Sequence, residues 1–435
     1  MQKKFIDELR WRGMLHDMMP GTEEQLNKEM TAAYIGFDPT AASLHIGNLA
    51  TIMLLKHLQL CGHKPFALVG GATGMIGDPS GKAAEREFLS EETLRFNQDS
   101  IKKQLEKFLD FDSGANSAEM VNNYDWFKDF SFLGFLREAG KHLSVNYMMS
   151  KDSVKKRLET GISFTEFSYQ LLQGYDFYWL YKNKNVRLQM GGSDQWGNIT
   201  TGTEIIRRKE GGAEEIEHRA FALTTPLVTK ADGTKFGKSE AGNVWLDPEM
   251  TTPYQFYQFW LNTADVECPR LLRVFSLYNQ AEIESLEAQH AEAPHLRIMQ
   301  KALAKDVTSR VHSEKDFEIV KQASELLFDK NVIETFAQVE NVVIEALDRI
   351  SIKKEDYDAC ANVTDLLATL ALDASGEPII FKSKGDTRKA IQANAVSINK
   401  IKVTDPNKTL DFVLLREKYL IVNFGKQKVY ILEIK

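Results

Sequence analysis

Three strand-like runs that end in or next to glycine constrain the fold more than any other feature. They are "AAYIGF", "PFALVGG" and "NVRLQMGG", and they alternate with helix-like runs such as "LATIMLLKHLQLCG". Strands separated by helices predict a parallel sheet with helices on both faces. In such sheets the ligand lies at the carboxyl ends of the strands, where these glycines stand. The sequence therefore predicts an α/β domain with a ligand site at that edge.

The remainder of the chain changes character twice. From Pro253 to Ala346 there is no glycine, and long helical patterns such as "LRIMQKALAKDVTSRVHS" predict a helical domain. From about Val363 a short helix, "TDLLATLAL", a helical run, "GDTRKAIQANA", and strand-like runs such as "YLIVNF" predict a small α+β module. A chain of 435 residues is too long for one ordinary core, so two or three domains are expected.

Composition excludes several classes of protein. No stretch approaches the roughly 20 apolar residues of a membrane span. The three cysteines lie far apart and never in C-x-x-C spacing, so no disulfide framework or metal site is expected. These features predict a soluble protein of the reducing cytoplasm.

The distribution of charge suggests a polyanionic partner for the tail. The formal net charge of the chain is -7, but from Gly376 onward twelve Lys or Arg stand against six Asp or Glu. A basic module on an acidic body predicts local contact with a polyanion. A solvated basic surface without a partner is the alternative.

A glycine-rich loop, "LVGGATGMIGDPSGKAAERE", follows the second strand. It fits neither G-x-x-x-x-G-K-S/T nor G-x-G-x-x-G, so the usual phosphate cradles are excluded by spacing. What it offers is an open strand end with Asp78, followed by a polar loop with Lys82 and Arg86. The alternative is a structural turn with an ordinary exposed lysine and arginine.

A polar stripe lies within "FTEFSYQLLQGYDFYWLY". Tyr169, Gln173 and Asp176 fall at i, i+4 and i+7, which places them on one face of a helix. Burying them without partners would cost several kcal/mol, and a ligand that donates hydrogen bonds would offset that cost. An amino acid offers an ammonium group for Tyr169 and Gln173, with Asp78, and a side-chain hydroxyl for Asp176. The alternative is a network satisfied by neighbouring elements.

Two further loops suit the parts of a nucleotide. In "LQMGGSDQWGN" a strand runs into a glycine pair, then Asp194 and Gln195, where a carboxylate suits a ribose diol and an amide suits a substrate carboxyl group. In "LVTKADGTKFGKS" the lysines Lys230, Lys235 and Lys238 suit a triphosphate, or are simply solvated.

The order of these motifs along the chain carries a resemblance. "PTAASLHIGN" together with "KFGKS" resembles the paired signatures of class I aminoacyl-tRNA synthetases, usually written HIGH and KMSKS. "YIGFDPT", "VGGATGMIGDPSGK", "GISFTEFSYQLLQGYDF" and "GGSDQWGNIT" closely resemble the bacterial tyrosyl-tRNA synthetase family, over essentially all of residues 1–260. The tail, "SKGDTRKAIQANAVSINKIKV", is similar, more loosely, to the family's small RNA-binding module of the ribosomal protein S4 type.

The resemblance implies a role for individual residues. The substrate tyrosine would be bound by six side chains: Tyr34, Asp78, Tyr169, Gln173, Asp176 and Gln195. ATP would be bound by seven residues: Gly36, Asp38, Gly47, Asn48, Gly192, Asp194 and Lys238. The groups that act on the phosphates would be Thr40, His45, Lys82, Arg86, Lys235 and Lys238. The RNA contacts of the tail would be Lys384, Arg388 and Lys389.

The fold class implied is α/β, with a Rossmann-like parallel-sheet catalytic domain, an α-helical domain and a small α+β S4-like RNA-binding domain. The expected boundaries are 1–225 for the catalytic domain, 226–250 for the KFGKS loop and linker, 251–350 for the helical domain, 351–362 for a linker and 363–435 for the RNA-binding domain. The implied activity is formation of tyrosyl-adenylate from L-tyrosine and ATP with Mg²⁺, followed by transfer to tRNA(Tyr). A homodimer is implied through the apolar segment 130–150, and neither a tightly bound metal nor a membrane is expected.

Two departures and three alternatives accompany this interpretation. Asn48 stands where the general signature has histidine, and "KFGKS" lacks its methionine. A tryptophan-specific enzyme would have no need for Tyr34 and Asp176 aimed at a phenol. An inactive RNA-binding scaffold would be expected to lose His45 or the lysines. A ligase that adenylates a small acid without tRNA would have no use for the helical domain and the basic tail.

Overall fold

A computed structural model provides the coordinates of the chain. The structure describes residues 3–78, 80, 89–158, 161–211, 219–229, 236–239, 242–329, 331–373, 375–425 and 428–435, with only the backbone at 153, 156, 158, 238 and 239. The chain divides into two compact units. The first contains residues 1–251 and 259–311, and the second contains 252–258 and 312–435.

A six-stranded sheet forms the centre of the first unit. Its strands are β1 (Asp17–Met18), β2 (Ala32–Phe37), β3 (Lys64–Val69), β4 (Glu119–Asn122), β5 (Val186–Gly192) and β6 (Phe221–Thr225). They lie in the order β1-β6-β5-β2-β3-β4, with only β1 antiparallel to its neighbour. The predicted parallel α/β sheet is confirmed. The strands β2, β3 and β5 are the three glycine-ended runs of the sequence.

The helices that precede residue 250 lie between or beside these strands. They are α1 (Phe5–Arg12), α2 (Thr22–Lys28), α3 (Ile46–Leu60), α4 (Glu91–Leu105), α5 (Tyr124–Phe127), α6 (Phe132–Glu138), α7 (Val145–Met149), α8 (Asp152–Leu158), α9 (Phe164–Lys184) and α10 (Trp196–Lys209). A two-stranded hairpin follows, formed by β7 (Lys238–Ser239) and β8 (Gly242–Asn243).

Helices then dominate, as the absence of glycine predicted. They are α11 (Pro253–Leu261), α12 (Cys268–Phe275), α13 (Gln280–Glu292), α14 (Ile298–Val311), α15 (Glu314–Phe328), α16 (Val332–Gln338) and α17 (Asn341–Glu345). Among the described residues, no helix is long and apolar enough to cross a membrane.

The second unit ends in a small sheet domain. Its elements are β9 (Arg349–Ile352), α18 (Lys354–Ala359), α19 (Val363–Asp365), α20 (Lys384–Gln392), β10 (Val396–Ile398), β11 (Ile401–Lys402), β12 (Tyr419–Phe424) and β13 (Lys428–Ile434). The strands lie in the order β11-β10-β12-β13-β9, and only β9 runs parallel to its neighbour. Residues 351–362, predicted as a linker, contain the end of β9 and all of α18, and Ile352 and Tyr357 lie in the core of this domain.

Two local features place the polar stripe at the carboxyl edge of the large sheet. Helix α9 begins after Ser163, whose hydroxyl accepts from the Glu166 amide, and ends at Asn185 in the left-handed conformation (φ 52°). In the sheet, Tyr34 on β2 is paired with Phe66 on β3 and with Gln189 on β5. The side chains of paired residues lie on the same face, so Tyr34 stands in the middle of the face that it occupies.

Candidate active site

The polar stripe of α9 has partners within the chain, with Tyr169 and Asp176 buried and Gln173 partly buried. The Tyr169 hydroxyl donates to Asp38 Oδ2 at 2.8 Å. Gln173 Nε2 donates to Gln195 Oε1 at 3.5 Å, a weak contact. The network expected by the alternative interpretation therefore exists, and the ligand-binding interpretation depends on what that network leaves unsatisfied.

Asp176 lies at the deep end of the stripe and is 2% exposed. Asn123 Nδ2 donates to its Oδ2 at 3.0 Å, and Trp126 Nε1 donates to its Oδ1 at 2.9 Å. Burial raises the pKa of the Asp176 carboxyl group to about 8, although these two hydrogen bonds act in the opposite direction. Each oxygen already accepts one hydrogen bond, and when the group is ionised each retains a further lone pair for a ligand.

The Tyr34 hydroxyl is the polar group that the network leaves out. Tyr34 is 1% exposed, and its hydroxyl has no hydrogen-bond partner among the described residues. Its ring packs against Phe177, with the ring centroids 5.5 Å apart. Burial, and then the nearby Asp176 carboxylate, raise the pKa of Tyr34 well above its ordinary value. A buried hydroxyl without a partner next to a buried carboxylate suits a ligand that presents a hydroxyl group of its own.

The glycine-rich loop after β3 packs against the protein's own side chains. Thr73 Oγ1 donates to Asp38 Oδ1 at 2.8 Å, and the Asn123 amide donates to the same Thr73 oxygen at 3.0 Å. A Cβ at Gly70 would overlap both Asp38 Oδ1 and Thr73 Oγ1. This glycine is therefore required by the hydrogen bond between Asp38 and Thr73, which lies directly over its backbone.

A second polar cluster surrounds Asp78. Gln195 Nε2 donates to Asp78 Oδ2 at 2.8 Å, and the Ser80 amide donates to Asp78 Oδ1 at 2.9 Å. Asn198 Nδ2, in the first turn of α10, is 3.4 Å from Asp78 Oδ1 and 3.3 Å from Gln195 Oε1. Asp78, Gln173 and Gln195 thus lie in one hydrogen-bonded group, although they come from three different segments of the chain.

The histidine and asparagine of "HIGN" cap the start of α3. His45 is the N-cap residue, and its Nδ1 accepts from the Gly47 amide at 3.0 Å, while Asn48 Oδ1 accepts from the His45 amide at 3.1 Å. Because Nδ1 accepts, the neutral imidazole carries its proton on Nε2. A Cβ at Gly47 would lie 2.7 Å from His45 Cε1, so this glycine makes room for the His45 ring. The expected contact of Gly47 with ATP stays a prediction.

The segment around "KFGKS" is attached to this helix start. The Val244 amide donates to the Gly237 carbonyl at 2.9 Å, and the Ile46 amide donates to the Val244 carbonyl at 3.0 Å. The two signatures of the sequence, 190 residues apart, are therefore joined by main-chain hydrogen bonds. Phe236, in the position of the signature's methionine, packs on Phe275 with ring centroids 5.6 Å apart.

Four other predicted residues lie at the same edge of the sheet. Gly36 and Thr40 are exposed at and just beyond the end of β2, and the Thr40 amide donates to the Asp38 carbonyl at 2.9 Å. Gly192 is the last residue of β5, and Asp194 is exposed in the short 3-10 helix that follows. Their assignment to ATP stays a prediction.

The cationic loops lie largely outside the described residues. Lys82, Arg86, Lys230 and Lys235 fall in the segments that are not described, and only the backbone of Lys238 is described. Within the described part of the chain, no group of three or more His, Cys, Asp or Glu side chains is arranged to hold a metal ion.

The predicted RNA contacts lie on α20. Arg388 and Lys389 are exposed, and neither side chain has an ion-pair partner among the described residues. Lys384 Nζ pairs with Asp365 Oδ1 at 2.7 Å. Two of the three predicted cations therefore present their full charge at the surface.

Sequence reasoning missed four polar residues of the site. They are Thr73, Asn123, Trp126 and Asn198. Asn123 and Trp126 follow β4, a strand without a glycine at its end, so the strand-end pattern did not find them. A polar pair after an apolar strand, in "MVNNYDW", is the signal that was available.

Comparison with known families gives two matches. The family described as tRNA synthetases class I (W and Y) matches residues 26–329. The family described as the tyrosine--tRNA ligase SYY-like C-terminal domain matches residues 358–432.

Two curated relatives match almost the whole chain. The tyrosine--tRNA ligase of Cytophaga hutchinsonii is 61% identical over 434 residues, 99% of each chain. The tyrosine--tRNA ligase of Porphyromonas gingivalis is 56% identical and covers 99% of this chain and 100% of its own length.

Solved structures show the same fold. The C-terminally truncated mitochondrial tyrosyl-tRNA synthetase of Aspergillus nidulans matches with a TM-score of 0.67 at 29% identity, over 75% of this chain and 94% of its own. The tryptophanyl-tRNA synthetase of Encephalitozoon cuniculi, bound to tryptophan, matches with a TM-score of 0.51 at 11% identity, over 72% and 87%. The second likeness shows the fold alone.

Proposed function

The chain belongs to the class I tRNA synthetases of the tryptophan and tyrosine group, and we propose that it is a tyrosine--tRNA ligase. In the first reaction a carboxylate oxygen of L-tyrosine attacks the α-phosphate of ATP. A new O–P bond forms and pyrophosphate leaves with the electrons of the broken bond. In the second reaction a hydroxyl of the 3'-terminal ribose of tRNA(Tyr) attacks the tyrosyl carbonyl carbon, and AMP leaves.

The unpaired Tyr34 hydroxyl beside Asp176 is the observation that carries the choice of tyrosine. A phenolic hydroxyl can donate to one group and accept from another at the same time. Asp176 offers an acceptor, and Tyr34 offers a donor with no other partner. An indole ring has one N–H and no acceptor, so tryptophan would leave the Tyr34 hydroxyl unsatisfied.

The second polar cluster suits the backbone end of the amino acid. Tyr169 uses its proton on Asp38, so its oxygen retains lone pairs for an ammonium group. Gln173 donates through Nε2, which leaves its Oε1 as an acceptor, and Asp78 supplies negative charge. We propose that these three hold the ammonium group and that Gln195 turns one N–H toward the carboxylate.

Catalysis on this interpretation needs positioning and charge stabilisation. The attacking carboxylate is already ionised at neutral pH, so no general base is required. His45 Nε2–H is a neutral donor for a phosphate oxygen, and Asn48 Nδ2 is a donor for the ribose. We propose that Mg²⁺ enters with ATP as part of the substrate and that Lys82, Arg86, Lys235 and Lys238 neutralise the pyrophosphate.

The test is exchange of labelled pyrophosphate into ATP with each of the standard amino acids in turn. The proposal expects exchange with tyrosine alone, followed by transfer of labelled tyrosine to tRNA(Tyr). Exchange that depends on tryptophan would show that the enzyme is specific for tryptophan. Absence of exchange with any amino acid, from protein that unfolds cooperatively, would contradict the proposal.

We propose that the exposed cations of α20 contact tRNA. The net charge of +6 from Gly376 onward, and the absence of ion-pair partners for Arg388 and Lys389 among the described residues, support this. Replacing Arg388 and Lys389 together by glutamine should raise the KM for tRNA and reduce its dependence on salt, while pyrophosphate exchange stays unchanged. An unchanged KM for tRNA would place the RNA contacts elsewhere.

We also propose a homodimer located in the cytoplasm. Four large apolar side chains are strongly exposed in one stretch of the chain: Phe132 (66%), Leu133 (71%), Val145 (59%) and Phe164 (70%). Large apolar side chains exposed in one region are typical of an interface when they form a common patch. Sedimentation should give a dimer at micromolar concentration, and Leu133→Asp should give a monomer; a parent chain that sediments as a monomer would contradict this.

A further inference from the structure

We propose that Thr73 is a positioning residue that fixes the two carboxylates of the active site, Asp38 and Asp176, relative to each other through Asn123. The proposal rests on the proposed function and deepens it. Thr73 lies in the glycine-rich loop that matches no phosphate-binding pattern. It would contact neither substrate; it acts through the side chains that do.

The donors and acceptors of this network permit one arrangement of protons. An asparagine Nδ2 can only donate, and an ionised carboxylate can only accept. Thr73 Oγ1 lies 3.0 Å from Asn123 Nδ2 and 2.8 Å from Asp38 Oδ1. The hydroxyl must therefore accept from Asn123 and donate to Asp38. A residue with a donor alone, or an acceptor alone, cannot fill both roles.

Asn123 is held in this orientation from its other end. Its Oδ1 accepts from the Ala72 amide at 2.7 Å, so its Nδ2 must point to the opposite side. The two Nδ2 protons are then divided between Thr73 Oγ1 and Asp176 Oδ2, both at 3.0 Å. The oxygen and both N–H groups of the Asn123 side chain are thus hydrogen-bonded, and exchanging the positions of Oδ1 and Nδ2 would break all three bonds.

The surroundings keep the hydroxyl at this position. Thr73 is 2% exposed and Asn123 is fully buried, so water does not compete for these bonds. The absence of a Cβ at Gly70 leaves the space in which Asp38 and Thr73 meet. Asp38 receives a further hydrogen bond from Tyr169, which is proposed to bind the ammonium group. The Thr73 hydroxyl therefore connects Tyr169, through Asp38, with Asp176, through Asn123.

A functional consequence distinguishes Thr73 from a residue that merely packs. Asp38 is assigned to the adenosine and Asp176 to the tyrosine hydroxyl, so loss of the relay should weaken the binding of both substrates. A change at Asp176 alone should weaken the binding of tyrosine only. Hydrogen bonds that involve charged groups are the strongest kind, so the loss should be about tenfold or more for each substrate.

The experiment compares Thr73→Val, which keeps the shape and removes the hydroxyl, with Thr73→Ser, which keeps the hydroxyl and removes the methyl. Thr387→Val is the matched control, because Thr387 is also fully buried and donates one hydrogen bond, to the Ser383 carbonyl, in the other unit. Calorimetric dissociation constants for tyrosine and for ATP are measured beside the KM values and kcat of pyrophosphate exchange. Thermal unfolding of every variant is recorded.

We expect Thr73→Val to raise both dissociation constants and both KM values about tenfold or more, and Thr73→Ser to lie within about threefold of the parent. The Thr387→Val control should change neither. If Thr73→Val lowers only the unfolding temperature, or if Thr73→Ser is as impaired as Thr73→Val, the relay is refuted. A parent that binds tyrosine and ATP but exchanges no pyrophosphate would refute the proposed function, while the binding constants of the variants would still decide the relay.

Discussion

The two ends of the candidate site are built differently. At the tyrosine end, Asp176, Asn123 and Trp126 are buried and joined by hydrogen bonds of 2.9–3.0 Å. At the nucleotide end, Gly36, Thr40, Gly47 and Asp194 are exposed at strand and helix termini. One end is a buried group of hydrogen-bonded side chains, and the other is an open edge of the sheet.

The difference matches what each substrate group requires. A buried site selects for a hydroxyl group because a substrate without it leaves polar groups of the protein unpaired. This selection requires side chains that cannot move to find other partners. Charge that develops on phosphates is stabilised by hydrogen-bond donors, the role proposed for the His45 ring, and the departing pyrophosphate needs an exit. The buried end should therefore determine which amino acid reacts. The open end should determine how fast the adenylate forms.

The largest expected effect comes from Asp176→Asn at the buried end. The asparagine would present its NH₂ group to one of the two donors, Asn123 or Trp126, and would lose an acceptor for the substrate hydroxyl. We expect kcat/KM for tyrosine in pyrophosphate exchange to fall roughly 10²–10³-fold, with the KM for ATP within about threefold of the parent. Equal loss for both substrates would mean that the two ends are not separate.

His45→Ala tests the open end. It removes the proposed donor to the phosphate and also the side-chain cap of α3. We expect the rate of adenylate formation to fall about 10²-fold in single-turnover measurements, while the calorimetric dissociation constant for tyrosine stays unchanged. His295→Ala, at an exposed position in the helical segment, is the control. A large loss of tyrosine affinity in His45→Ala would contradict the division of roles.

The buried end should also have a signature in the pH dependence of stability. Burial raises the pKa of Asp176 to about 8, above its unfolded value of 3.8, so the native state binds this proton more tightly. The free energy of unfolding should therefore fall as the pH rises from about 4 to 8, by at most about 1.4 kcal/mol per unit, and this term should be constant above pH 8.

Asp176→Asn carries no such proton and supplies the reference. The difference in free energy of unfolding between parent and variant, measured in denaturant without ligands, should decrease across that window. A difference that is independent of pH between 4 and 8 would show that Asp176 stays ionised in the empty pocket.

The smallest effect is expected from Asn48→His, which restores the residue of the general signature. Asn48 Oδ1 accepts from the His45 amide, and a neutral histidine ring can also accept through one nitrogen and donate through the other. We expect kcat/KM for ATP in pyrophosphate exchange to stay within about threefold of the parent. A gain or loss of more than tenfold would show that this position carries charge in the reaction.

Much of the architecture could be predicted because it follows from local patterns. Apolar runs that end in glycine identified β2, β3 and β5, and the spacing of Tyr169, Gln173 and Asp176 placed them on one face of α9. The short strand β9 was not predicted: its four residues, "RISI", were divided between the helical domain and the linker, because only pairing with β13 makes them a strand.

The site itself could be predicted only in part. Residues on a recognisable element, such as Asp176 and Gln195, could be proposed from their own sequence context. Thr73 and Asn123 could not, because their importance comes from a hydrogen bond across 50 positions of the chain. The need for glycine at position 70 could not be predicted either, since what lies against its backbone is the protein's own Asp38.

The most direct test of the account is the ratio of kcat/KM for tyrosine to that for phenylalanine in pyrophosphate exchange by the parent chain. The two amino acids differ only in the hydroxyl that Tyr34 and Asp176 are proposed to bind. Tyrosine-specific enzymes of this class are themselves the established example of such rejection, so the expected ratio of roughly 10⁴–10⁵ is adopted from them. A ratio below about ten would contradict the account, because the buried end would then not read the hydroxyl.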